Sequence, residues 1–488
     1  MSEQTSRRYV DLPRKGLCTS LLGLVAAATI PLAVQIDPLA SGVLAEATVL
    51  LSFWGLTTSV VHGARINQLV FWAFTLSWLG VAPLYQLYVG EVAWGDYTVL
   101  KLTDAVQASQ VLVLVSLVAF LAGSRAAPDV TEHRSRLDTS KMGKAAFLVI
   151  VAAGFLLPMA ASASGGLANL FASRQERATS FAVENFDVAS GGGAALGFVK
   201  LLPAALATVG CYFAVLVVRE EIRSRRGLNW RMARLALVVA GLTALAIYSN
   251  PIANSRFISF AAILASVIAA WQPRTSRSGF ILAMFSLVGV LFVYPIAFAL
   301  RKTRGLSTLE TFTLKDWAGP DFDGFQQWVN TVLFVEENGY SWGSTILSAM
   351  LFFVPRSIWP DKEIPASITI AESRSYEFTD LSLPVSAEFY LNFGFVGLVI
   401  GMFVLGRIWA RLDVAWLRSP DSLAGVLAPL VATQQFGLVR GPLGSLAPVF
   451  GTVLILSAAV VLYSRRASEP ERAGRQQIQG DVLFRKTY

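Results

Sequence analysis

Cysteine, histidine and charge are all scarce in this chain. Its 488 residues hold two cysteines, Cys18 and Cys211, each inside an apolar stretch. Two such residues make neither a disulfide framework nor a Cys-x-x-Cys metal site. The only histidines are His62 and His133. Both fall in segments read below as cytoplasmic, so the outer face has no histidine base, no Ser–His pair and no histidine metal ligand. Charged residues make up 15% of the chain against 54% hydrophobic, where a soluble domain carries roughly 25% charged. A soluble enzyme, a disordered scaffold and a small secreted disulfide domain are excluded.

What is present is hydrocarbon. The mean hydropathy is +0.56, and apolar stretches of about 20 residues recur along most of the chain, the length that crosses a bilayer as a helix. The expected fold class is an all-α polytopic membrane protein. Twelve spans are predicted near residues 17–36, 43–62, 67–88, 105–123, 145–162, 194–218, 232–249, 257–272, 279–299, 386–406, 422–439 and 444–463. The first is read as a retained helix, because no small-residue cleavage site follows it.

The net charge of +8 fits the accumulation of Lys and Arg in cytoplasmic segments better than it fits nucleic acid, and no nucleic-acid partner is expected. Most basic residues fall in the N-tail, in the loops after even-numbered spans and in the C-tail. That places both termini inside. The resulting plan is an N-tail at 1–16, a nine-helix region at 17–299 with an outer loop at 163–193, a large outer loop at 300–385, three helices at 386–463 and a basic tail at 464–488. Residues 344–354 are apolar for too short a run to span, and 341–360 is predicted to be re-entrant or interfacial.

The outer face nonetheless carries arginines, against the general bias: Arg174, Arg177, Arg256, Arg301, Arg304, Arg356, Arg374 and Arg440. Any one of them could be ordinary loop charge. Arg256, Arg356 and Arg440 lie at span mouths and are expected to converge on one cavity, with Arg304 and Arg174 as further members. A guanidinium binds phosphate or carboxylate through two parallel hydrogen bonds and stays charged in a partly dry pocket. Glu388 stands at the outer mouth of the tenth span, where a carboxylate is costly unless paired. It reads either as a base held beside an arginine or as a cap on the start of that helix. Asp321 and Asp323 have the spacing of a cation-binding loop, which is a weak signal alone; no metal or cofactor is expected. Span interiors are almost free of charge apart from Glu46 and Lys200, which argues against an ion-coupled transporter.

Two segments carry a resemblance. Residues 339–363, GYSWGSTILSAMLFFVPRSIWPDKE, resemble the hallmark segment of the bacterial Wzy-type O-antigen and oligosaccharide repeat-unit polymerases, an apolar run followed by P-R-x-x-W-P-x-K. Pro355, Arg356, Trp359, Pro360, Asp361 and Lys362 supply that pattern, while Glu363 stands where the family often has another proline. Residues 387–397, AEFYLNFGFVG, are similar to the family's E-x-Y-x-N-F-G-x-x-G, with Glu388, Tyr390 and Asn392 in place. The resemblance implies a fold like the C superfamily of membrane glycosyltransferases. It also implies undecaprenyl-diphosphate-linked oligosaccharides as donor and acceptor, the lipid bilayer and a chain-length regulator as partners, and a site facing outward from the inner membrane. On this reading Glu388, Arg356 and Arg440 are catalytic. Arg256, Arg304, Arg174, Trp359, Asp361, Lys362, Tyr390 and Asn392 bind substrate, Trp359 by stacking on a sugar unless it is an interface anchor. The alternatives are an O-antigen ligase that transfers glycan to lipid A–core, a lipid-linked glycan transporter, and a non-catalytic scaffold.

Overall fold

The computed structural model describes residues 19–61, 63–95, 98–126, 137–172, 193–223, 228–250, 254, 256–296, 313–379 and 381–465. Among them the chain is helical, with one isolated antiparallel bridge between Leu137 and Arg465 and no strand. Each of the twelve apolar segments forms a helix. These are α1 (Thr19–Ala33), α2 (Leu39–Val61), α3 (Ile66–Val89), α4 (Thr103–Arg125) and α5 (Thr139–Ser162). They continue with α6 (Gly193–Arg223), α7 (Leu228–Tyr248), α8 (Arg256–Trp271) and α9 (Ser276–Ile296). Between the ninth and tenth segments the described residues hold three shorter α-helices, α10 (Gly324–Asn338), α11 (Ser344–Met350) and α12 (Ala366–Ser373), after two 3-10 turns. The last three apolar segments are α13 (Val385–Arg418), α14 (Leu423–Arg440) and α15 (Leu443–Ser464). Among the described residues eight helices are long and apolar enough to cross a membrane: α2 to α6, α9, α13 and α15.

The bundle centres on α3. Ile66 to Leu84 is almost continuously buried, because the sequence there is apolar on every side and no face prefers water. A π-turn at Leu76–Val81 interrupts the helix just before Pro83, where the missing N–H breaks the regular ladder. α13 crosses α4 at two glycines. A Cβ added at Gly123 would collide with the Phe403 carbonyl, and one added at Gly406 would collide with the Phe120 carbonyl. The two backbones therefore touch, as small residues allow between membrane helices.

Helix ends meet in two groups. In the first, the Asp413 carboxylate accepts from the backbone N–H groups of Asn67 at 2.8 Å and Gln68 at 3.1 Å, capping the start of α3 from the end of α13. The Trp416 indole donates to Pro273 at 3.1 Å, Ala64 N–H to Arg274 at 3.2 Å and Ser276 Oγ to Val61 at 2.9 Å. In the second, Trp78 donates to the Asp321 carbonyl at 2.7 Å and Leu383 N–H to the Arg440 carbonyl at 2.7 Å.

The segment before α13, expected as a large outer loop with a re-entrant or interfacial stretch at 341–360, has two features that place it. α10 is buried against α4 and α13, with Phe325, Trp328, Val329 and Val332 in the core. Within 341–360 only Ser344–Met350 is helical, and turns follow as far as Asp361. Seven residues rise about 10 Å, well short of the roughly 30 Å of hydrocarbon, so α11 does not cross a bilayer.

α13 is not the single helix expected over 386–406. It runs for 34 residues and breaks at Phe393 and Gly394, the latter at φ 62° and ψ −151°. The carbonyl of Leu391, freed by the break, accepts from Ser341 N–H at 3.0 Å. Gly394 leaves room there for the Tyr340 ring.

Candidate functional site

The broken start of α13 forms one wall of a cavity of about 560 Å³, within the size range of small-molecule sites. α11 and the loop after it supply Thr345, Ser348, Phe352, Phe353 and Arg356; the start of α12 supplies Ala366; α15 supplies Gly444 and Pro448; α13 supplies Glu388.

Glu388 is 1% exposed. Its Oε2 accepts from the backbone N–H of Leu443 at 2.8 Å. Leu443 opens α15, so the carboxylate rests on a helix N-terminus, where orphan N–H groups and the dipole favour negative charge. Its Oε1 is buried without a hydrogen-bond partner. The arginine partner expected for Glu388 is absent among the described residues, and a backbone donor holds it instead. One oxygen is fixed and the other is free.

Arg356 is exposed and lines the same cavity. Its one hydrogen bond runs from Nη2 to the Glu363 carbonyl at 3.2 Å, which leaves most of its five donors available. Lys362, expected to bind substrate, also lines the cavity, but its ammonium is occupied by the protein. Its ammonium donates to the carbonyls of Leu351 at 2.9 Å, Phe352 at 3.0 Å and Val354 at 3.0 Å. It closes the C-terminal end of α11, where carbonyls lack partners. Partial burial, and then the nearby Arg356 charge, push its pKa down from the usual lysine value. The N–H of Glu363 donates to Ser348 Oγ at 3.1 Å. Lys362 and Ser348 thus fold the loop back on α11 and present Arg356.

The other expected site residues divide. Asn392 is fully buried; its amide bonds the Thr345 hydroxyl at 2.7 Å and the Glu388 carbonyl at 2.8 Å, joining α11 to α13. Tyr390 packs on Trp328 and Tyr340, with ring centroids at 5.9 and 6.2 Å, and does not line the cavity. Trp359 and Asp361 also lie off the cavity wall. Arg440 does too: its guanidinium sits 5.8 Å from the centre of the Tyr294 ring, a cation–π arrangement. Of the arginines expected to converge on one cavity, Arg356 lines this one and Arg440 does not. The backbone of Arg256 opens α8, but its side chain, with Arg174 and Arg304, lies outside the described residues, as does the side chain of Lys200. Thr345 and Ser348 are not among the residues that the sequence singles out. Their spacing of three on an apolar helix was the available signal, since it puts both hydroxyls on one face.

Comparison with protein-family models, with curated proteins and with solved structures gives no match. The arrangement itself has clear chemistry: a guanidinium near solvent, a buried carboxylate with one free oxygen, and walls of Phe352, Phe353, Pro365 and Pro448 between them. It suits an anionic group attached to something apolar, with a hydroxyl to be deprotonated nearby.

Proposed function

We propose that this protein is a membrane glycosyltransferase that joins lipid-linked oligosaccharide repeat units into an O-antigen or capsule-type polysaccharide. The donor is an undecaprenyl-diphosphate glycan and the acceptor a second one, bound at the outer face of a bacterial inner membrane. The observation that carries this reading is that Arg356 and Glu388, from the two segments resembling the polymerases, line one cavity. The acceptor hydroxyl oxygen attacks the anomeric carbon, the bond from that carbon to the diphosphate oxygen breaks, and undecaprenyl diphosphate leaves with the electron pair. Glu388 takes the hydroxyl proton on its free oxygen. Arg356 stabilises the negative charge that develops on the diphosphate. A diphosphate is a good leaving group, so the residues present need supply no strong acid.

Two groups of helix-end contacts support the sides assigned to the loops they join. Residues 61–68, 273–276 and 413–416, all assigned to the cytoplasmic side, contact one another. Residues 383–388 and 440–443, assigned to the outer side or to span mouths on it, do likewise. A gene deletion separates this function from that of a ligase. Loss of the polymerase leaves single repeat units capped onto the lipid, whereas loss of a ligase leaves none. A deletion strain without even single-unit caps would overturn the polymerase reading.

A further inference from the structure

The apolar run that opens with α11 walls the cavity, yet part of it faces away from the protein. Leu347 and Met350 on α11 and Phe353 just after it are exposed, while Thr345, Ser348 and Ala349 are buried. That exposed face has a depth. α15 runs for 22 residues from Leu443 to Ser464, between Arg440 and Arg465. Its length is about 33 Å, close to the roughly 30 Å of hydrocarbon in a bilayer, so its ends mark the two edges. A Cβ added at Gly451 would collide with the Phe352 ring, and Gly451 stands about 12 Å along α15 from Leu443. A Cβ added at Gly444, in the first turn of that helix, would meet Pro365. The chain is therefore deep at Phe352 and back at the edge by Pro365. At the bottom of the dip the carbonyls of Leu351, Phe352 and Val354 all accept from Lys362, and backbone within hydrocarbon requires such partners.

We propose that the tip of this segment, from Leu347 to Phe353, is a wedge seated in the hydrocarbon of the leaflet that holds the start of α15, with Leu347, Met350 and Phe353 against lipid acyl chains. The wedge continues an apolar row on α13. Val396, Ile400, Val404 and Ile408 recur at helical spacing and are all exposed, the face that a spanning helix turns to lipid. Phe393, at the break, is exposed too, and its ring lies where a Cβ on Gly343 would fall. The row therefore runs onto the start of α11. Seating the tip among acyl chains removes its apolar area from water. Arg356 stands on the returning limb, from which a long side chain reaches the headgroups. Phe353 is exposed and also lines the cavity. The rim of the cavity thus lies in the leaflet, and a ligand with an anionic head and a hydrocarbon tail reaches it from the lipid. None of this depends on the reaction, only on the apolar helices crossing a bilayer.

The test uses the full-length protein without Cys18 and Cys211, in vesicles of phosphatidylcholine and phosphatidylglycerol. Leu347→Cys, Met350→Cys, Phe353→Cys and, as a control in water, Glu377→Cys each carry a nitroxide spin label. Collisions with oxygen, which concentrates in hydrocarbon, are compared with collisions with a nickel chelate, which stays in water. The ratio of oxygen to nickel collisions is expected to be severalfold higher at the three tip positions than at the control. The depth at Met350→Cys and Phe353→Cys is expected to be about 10 Å below the edge of the hydrocarbon. A nickel-dominated label at either position would put the tip in water and overturn the proposal. A depth at the headgroups would make the segment interfacial and overturn it as well. If the labelled variants do not fold, the wild type is reconstituted with a lipid bearing a photoreactive group on its acyl chain. Adducts are then expected on residues 347–353, and adducts on 396–408 with none on 347–353 reject the wedge. Both readings are taken without substrate, so a protein that makes no polymer still gives them.

Discussion

Arg356 and Lys362 stand six residues apart in one loop, yet their surroundings give them different work. Arg356 is exposed with a single weak tie to the protein, so replacing it leaves the fold intact. Arg356→Lys keeps the charge and loses the planar fork; polymer synthesis should fall at least about tenfold, a loss near 1.4 kcal/mol in the transition state, with the unfolding midpoint unchanged. A full-rate Arg356→Lys enzyme would remove bidentate phosphate binding from the account. Lys362 acts through structure. Lys362→Met leaves the carbonyls of Phe352 and Val354 without that donor, while Leu351 keeps the Val354 N–H, and should lower stability by roughly 1–3 kcal/mol. The pH dependence has a defined sign. Because its pKa is lowered in the folded state, the unfolded chain binds that proton more tightly. Stability of the wild type relative to Lys362→Met should therefore rise as pH climbs from the lowered value toward the ordinary lysine value of about 10.5. Paired thermal melts across alkaline pH check this, and a difference that falls with pH contradicts it.

At the scale of the element, the break in α13 sets where Glu388 sits. Gly394 occupies a backbone region that is essentially glycine-only. Gly394→Ala should cost about 1–3 kcal/mol, and trimming the facing ring with Tyr340→Ala should not restore it, because the strain is in the backbone. Gly406→Leu should be harsher and prevent α13 from seating on α4, whereas Val404→Leu, half-exposed on the same helix, should be neutral; yield and melting point report both. The positions of the apolar helices are legible in the sequence because a bilayer demands about 20 apolar residues per crossing. The break is not, since a glycine in an apolar run looks the same whether it bends the helix or packs it. α10 could have been read from Phe325, Trp328, Val329 and Val332, which recur at helical spacing, but its Gln and Asn residues mask that stripe. The partner of Glu388 is a backbone N–H 55 residues away, and side-chain patterns carry no trace of it. For that reason an arginine was the natural expectation and a helix terminus the outcome.

For the whole molecule, the proposed topology would put α10, α11, α12 and the cavity on the outer side. Single cysteines in a background without Cys18 and Cys211 should show this with a membrane-impermeant thiol reagent. Trp342→Cys and Glu377→Cys, both exposed, should react in intact spheroplasts, and Asp421→Cys should react only after lysis. Labelling of just one of the first two would break the topology between α11 and α13. In the proposed reaction Arg356 and Glu388 of one cavity perform glycosyl transfer between lipid-linked units. The most direct measurement is the purified protein in liposomes with the host's own undecaprenyl-diphosphate-linked repeat unit, read as a ladder of lengthening glycans in buffer with a chelator. The wild type should build the ladder and release undecaprenyl diphosphate, while Glu388→Gln, folded to the same melting point, should build none. A folded Glu388→Gln protein that makes the same ladder at the same rate would contradict the account.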